Sequence, residues 1–186
     1  VDRWITKYFS RPNYYRIDGK PVFMIYAVKD FTEWDGLEKA KERIAYLRDA
    51  VKKAGFPGIH LQRPDMSYDD KYKDELGFDS TTHYNCLMLA ADKFWNKEKK
   101  PLTYDEFVDE SVKGYEKSRI AAERDGAVYF PNVTCGWDTN SRYPADDVQL
   151  MVHKSNPQDF ERFLRGAKAF VDKNIPKGQP KLITVN

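Results

Sequence analysis

The chain holds little of what most metal, nucleotide or redox chemistry needs. Cys86 and Cys135 are its only cysteines, and His60, His83 and His153 its only histidines. Neither cysteine lies in a C-x-x-C spacing, and no histidine and carboxylate fall at metal-ligand spacing. We therefore expect no metal and no cofactor. A strong charge of one sign is missing too: 31 Lys and Arg face 29 Asp and Glu, for a net +2. A surface that neutralises many phosphates needs a larger cationic excess, so a nucleic-acid partner is not expected. No apolar run approaches the ~18 residues of a membrane span, and no signal-peptide pattern opens the chain. G-x-G-x-x-G, G-x-x-x-x-G-K-[ST] and G-x-S-x-G are all absent, which removes the common dinucleotide, P-loop and nucleophile-elbow readings. The first residue is Val1 rather than Met, and we read the chain as a piece of a longer protein.

What the chain does have is aromatic side chains, 15% of the 186 residues, with 12 Tyr, 11 Phe and 4 Trp. Most belong in a core. Aromatic faces also stack on the apolar faces of sugar rings, so the count favours a carbohydrate ligand.

Apolar runs of strand length alternate with helical patterns. Pro21–Tyr26, preceded by the turn Asp18-Gly19, reads as a strand buried on both faces. Leu37, Ala40, Ile44, Leu47, Val51 and Ala54 then repeat at helical spacing, with Gly55 as the stop. Gly58–Arg63 and Gly77–His83 are expected strands. Thr103 and Glu106 form a capping box for a helix with Phe107, Val108, Val112 and Tyr115 on one face and Gly126 at its end. Ala127–Thr134 is expected as a strand with an irregular end at Pro131. Asn156-Pro157 caps a helix striped by Phe160, Phe163, Leu164, Ala167, Phe170 and Val171, and Lys181–Val185 is the last strand.

Strands separated by helices this long form a parallel sheet covered by helices. A doubly wound domain and a (β/α)8 TIM-type barrel both fit. A barrel needs ~250 residues, so five strands are little more than half of one. Because a finished doubly wound domain normally covers its last strand with a helix, we expect roughly the C-terminal five strands of a barrel. On that reading residues 1–186 are one part of a single catalytic domain that lacks its N-terminal strands and last helix.

In either architecture ligands bind beyond the C-terminal strand ends. Those positions hold Tyr26, Lys29 and Asp30, then Gln62, Arg63 and Asp65, then His83, Tyr84 and Asn85. The fourth strand contributes Asn132, Thr134, Trp137, Asp138 and Arg142, and the fifth Asn186. Gly136–Pro144 is the densest cluster: a tryptophan for stacking, a carboxylate to accept vicinal hydroxyls, an arginine as a rigid donor fork. The plainer alternative is a surface loop with an Asp138–Arg142 ion pair and a tryptophan tucked into the core. Arg63 is more often a surface or ion-pair residue than a ligand contact, and His83 more often a satisfied core or barrel-lining residue than a general base. Asp69-Asp70, near Asp65, reads as a solvated loop, and the Asn132-Val-Thr134 sequon as accidental.

Several of these segments together resemble one family. Tyr14-Tyr15-Arg-Ile-Asp-Gly-Lys-Pro-Val-Phe-Met-Ile-Tyr26, Gly77-Phe-Asp79, Gly136-Trp-Asp-Thr-Asn-Ser-Arg142 and Asn156-Pro-Gln-Asp-Phe160 occur in the order of glycoside hydrolase family 99-like proteins of the WbsX type. The common family form resembles Trp-Asp-Asn-Thr-Pro-Arg; here Trp137, Asp138 and Arg142 are kept and the middle differs. The resemblance implies a (β/α)8 barrel acting on glycans, best known on α-mannosidic linkages. It implies a last strand running into Asn-Glu-Trp-x-Glu-Gly, with Asn186 at the Asn and two catalytic glutamates just after it. Such enzymes use one carboxyl as general acid, while the second deprotonates the sugar's 2-hydroxyl to give an anhydro-sugar intermediate. The expected binding residues are then Tyr26, Arg63, His83, Tyr84, Trp137, Asp138, Arg142 and Asn186, with an oligosaccharide or polysaccharide as substrate. A hydrolase of this kind favours a periplasmic or secreted location. A polysaccharide-building glycosyltransferase and a non-catalytic glycan-binding barrel are the alternatives.

Overall fold

The structure is a computed structural model and describes residues 1–65, 73–95, 100–147 and 149–186. The expected loop at Asp69-Asp70 lies outside the described residues. In chain order the helices are α1 (Asp2–Trp4, continued by a π-helical turn over Ile5–Phe9), α2 (Val28–Glu33), α3 (Leu37–Lys53), α4 (Ala91–Phe94), α5 (Tyr104–Arg124) and α6 (Pro157–Asn174). The strands are β1 (Arg16–Ile17), β2 (Lys20–Met24), β3 (His60–Pro64), β4 (Ser80–Thr82), β5 (Leu102–Thr103), β6 (Val128–Tyr129), β7 (Asn132–Val133), β8 (Val152–His153) and β9 (Thr184–Val185). The chain divides into two compact units, Val1–Thr81 with Ala122–Val128, and Thr82–Ala121 with Tyr129–Asn186.

The first unit is built on a sheet of order β1-β2-β3-β4-β6. β1 and β2 form a hairpin around Asp18 and Gly19, whose φ values of 51° and 75° are the left-handed pair a two-residue turn demands. β2 runs parallel to β3, with Val22 opposite His60 and Met24 opposite Gln62. The strands from β2 onward follow chain order with no reversal, so there is no switch point of the doubly wound kind. The architecture is mixed α/β and compatible with part of a barrel. α3 buries Ala40, Ile44, Leu47 and Val51, the stripe its spacing predicts, against Phe9, Ile59, Leu61 and Phe78. Gly55 ends it with φ +90°, and the Phe56 amide reaches back to the Val51 carbonyl at 3.3 Å. That is a Schellman stop, which a side chain at Gly55 would strain.

In the second unit α5 and α6 bury Phe107, Tyr115, Phe163, Ala167 and Val171. Asn156 accepts the Asp159 amide at 2.9 Å and Pro157 opens α6, as expected. Half of the Thr103–Glu106 box forms: the Glu106 carboxylate takes the Thr103 amide at 3.3 Å, while the Thr103 hydroxyl donates to the same carboxylate at 2.7 Å instead of accepting a helix amide. Several strands differ from expectation: β4 covers only Ser80–Thr82 of the expected Gly77–His83, and β2 is part-exposed rather than buried on both faces. The segment 127–134 is not continuous; Phe130-Pro131 separates β6 from β7, because proline offers no amide to a ladder. β7 instead pairs in parallel with β9, Asn132 opposite Thr184 and Val133 opposite Val185. β9 is shorter than expected, and Lys181 before it holds Asp172 of α6 at 2.6 Å. The short parallel ladder of β5 and β8 was not foreseen.

Candidate functional site

Buried hydroxyls and one amide fix the end of β9 within the second unit. Thr184 Oγ1 accepts from Asn132 Nδ2 at 3.0 Å and lies 2.9 Å from Thr82 Oγ1. Held there, Asn186 donates its amide to the Val133 carbonyl at 3.1 Å and takes the Cys135 amide on its own carbonyl at 3.2 Å. Its side-chain amide donates to the Tyr84 carbonyl. The residues that follow β4, β7 and β9 therefore converge.

Tyr84 and Trp137 face each other there with ring centroids 6.5 Å apart and planes at 81°. Tyr84 is 43% exposed and Trp137 half-buried, so both rings keep surface open to solvent. Gly136 sets the approach of Trp137. Its φ is +133°, and a Cβ on it would come within 2.9 Å of the Ser155 hydroxyl. The Trp137 carbonyl then accepts the Val152 amide at 2.8 Å. Asp138, exposed on the same loop, takes the Asn140 amide on Oδ1 at 2.8 Å and the Asn140 side-chain amide at 2.7 Å. The backbone bond first, then the side-chain bond, holds its carboxyl below the usual range. His83 is buried, with Nδ1 2.9 Å from the Tyr129 hydroxyl.

Of the expected site residues, the structure thus gathers Tyr84, Trp137 and Asn186, with His83 and Asp138 adjoining them in the chain. Arg142 is exposed at the end of a short 3-10 turn, Asn140–Arg142. Among the described residues no ion pair joins it to Asp138, whose bonds go to Asn140 instead. Tyr26 is half-exposed after β2, in the first unit. Arg63 is buried in that unit and pairs with Asp125 at 3.1 Å and Asp65 at 3.9 Å. Strand alternation explains this: His60 and Gln62 both bond Ser80, and Arg63 points the other way. Asn132 of the sequon is 2% exposed and engaged with Thr184, which leaves no accessible acceptor. Sequence reasoning missed Tyr129 and Asn140. The signal for Asn140 was its position two residues after Asp138, where a short amide reaches back to a carboxylate.

Over residues 2–186 the sequence matches the family model described as Glycosyltransferase WbsX. The chain belongs to the WbsX family. No curated protein and no solved structure matches it significantly. The WbsX assignment points to a glycan-related, carbohydrate-active enzyme, with a glycan as substrate. No helix among the described residues is long and apolar enough to cross a membrane, and no group of three or more His, Cys, Asp or Glu among them suits a metal ion.

In this WbsX chain the converging loops offer two aromatic faces, a carboxylate acceptor and a terminal amide. That set suits a polyhydroxylated ligand. Asp138, with its carboxyl held low, accepts hydrogen bonds well and is a poor general acid, since an acid working near neutral pH needs the opposite shift.

Proposed function

We propose that the chain carries the sugar-binding part of a glycoside hydrolase acting on α-mannosidic or similar linkages. Its scaffold is a (β/α)8 barrel of which these are the C-terminal strands. One observation carries the reading: the perpendicular Tyr84–Trp137 pair beside Asp138, at the point where β4, β7 and β9 end. Trp137 stacks on a pyranose face, Asp138 and Arg142 hold hydroxyls, and His83 contributes to the lining. Arg63 is the weakest member of the set, because its guanidinium is engaged within the protein.

Glycosidic cleavage uses two carboxyl groups flanking the bond, ~5–5.5 Å apart where the second attacks the sugar. We assign the pair to positions directly following Asn186. The support is that Asn186 bonds both the Tyr84 carbonyl and the Cys135 amide, on the segments that follow β4 and β7. In the variant with an anhydro-sugar intermediate, the second carboxylate removes the 2-hydroxyl proton, the 2-oxygen bonds the anomeric carbon as the glycosidic bond breaks, and the first carboxyl protonates the leaving oxygen; water then opens the anhydro ring.

The test is calorimetry of the intact protein with α-manno-oligosaccharides. Trp137→Ala is expected to weaken binding by about 1–3 kcal/mol, by analogy with base–aromatic stacking. Unchanged affinity removes Trp137 from the site. The description of the family as glycosyltransferases favours a second reading, a glycosyltransferase. Consumption of a nucleotide-sugar donor by the intact protein, with no release of sugar from oligosaccharide, selects that reading.

A further inference from the structure

We propose that Asn140 is the positioning residue of the sugar site: it presents Asp138 with one carboxylate oxygen already committed and the other open to a hydroxyl. The inference rests on the glycan-binding reading and adds to it how the carboxylate is held. The Asn140 side chain is engaged on both sides. Its Nδ2 donates to Asp138 Oδ1 at 2.7 Å and to the Gln149 carbonyl at 3.2 Å, while its Oδ1 accepts the Gln149 amide at 2.7 Å. One side-chain amide thus pairs with both the N–H and the C=O of Gln149, much as a residue of a neighbouring strand does, and holds the carboxylate with its remaining donor. The backbone amide of Asn140 adds a second bond to the same oxygen at 2.8 Å. Among the described residues no donor reaches Asp138 Oδ2, and the side chain is exposed. The carboxylate is therefore fixed in orientation while half its accepting capacity faces solvent beside Trp137. A sugar hydroxyl meets an acceptor that needs no further ordering, which is how preorganisation raises affinity. The amide sits in the middle of the Trp137–Arg142 motif, where this chain departs from the common family form.

Two variants of the intact protein test this. Asn140→Ala removes both links. Asn140→Asp keeps an oxygen for the Gln149 amide but loses the donor to the Gln149 carbonyl, and replaces the donor to Asp138 by a second carboxylate. The Asp138 titration midpoint, read by carboxyl NMR without sugar, is expected to rise in both variants. Affinity for α-manno-oligosaccharides is expected to fall about three- to tenfold, the worth of one hydrogen bond. An unmoved midpoint in Asn140→Ala overturns the proposal, because an asparagine that only ties the loop predicts that result; in Asn140→Asp the added like charge raises the midpoint in either case. A raised midpoint with unchanged affinity, where Trp137→Ala still weakens binding, overturns it as well. If Trp137→Ala has no effect, the glycan site itself is wrong, and the sugar-free titration still decides whether Asn140 holds Asp138.

Discussion

The cores of the two units solve the same problem with different side chains. The first is aliphatic and phenylalanine-rich, with Leu47, Val51, Ile59 and Leu61 behind regular strands whose backbone groups meet one another. The second is phenolic. Tyr104, Tyr115 and Tyr129 are almost fully buried among Phe107, Phe163 and Phe170. Each of their hydroxyls has a partner: Tyr104 donates to the Thr134 carbonyl at 2.7 Å, Tyr115 to the Asn132 carbonyl at 2.6 Å, and Tyr129 meets His83. These partners lie around strands only two residues long, where a broken ladder leaves carbonyls over. A buried carbonyl without a donor is costly. The tyrosines close that gap from the side, so the second unit supports irregular, site-forming backbone with side-chain donors in place of sheet.

The contrast can be broken by mutation. Leu47→Ala in the first unit is expected to destabilise by about 2–5 kcal/mol in urea unfolding, since it opens a cavity in a core that depends on volume. Tyr104→Phe in the second removes a single oxygen and almost no volume. It is expected to cost about 1–3 kcal/mol, because the Thr134 carbonyl loses its phenolic donor. A Tyr104→Phe variant as stable as the parent would erase the distinction.

The smallest effect is a pH dependence in the first unit. Burial, the largest cause, pushes His60 below its ordinary value of 6.5, with Lys20 adding to it and Asp79 and Asp18 opposing. The unfolded chain therefore takes up the proton first. Stability is full above about pH 6.5 and declines as the pH falls below it. His60→Gln should flatten that slope in unfolding measured from pH 7.5 to 5, and an unchanged slope would reassign it.

The long helices were legible because their signals are local. The stripe from Leu37 to Val51, the stop at Gly55 and the cap at Asn156 each act within a few residues, and the structure keeps all three. Where pairing depends on distant partners, the sequence said less. Nothing near Leu102 announces Val152 as its ladder partner, and the break at Pro131 becomes intelligible only once β9 supplies the other side of β7. Site residues followed the same rule. Trp137 and Asp138 stood out by type and spacing. Arg63 looked available as a ligand contact because parity along β3 becomes visible only when His60 and Gln62 are seen to share Ser80.

The two cysteines differ in a way that is useful at the bench. Cys86 is buried, its thiol pushed well up by burial and donating to the Asn132 carbonyl at 3.0 Å. Cys135 is exposed, two residues before Trp137. A maleimide dye added to the native protein thus reaches one sulfur selectively, and its emission becomes a built-in reporter of whatever occupies the aromatic pair.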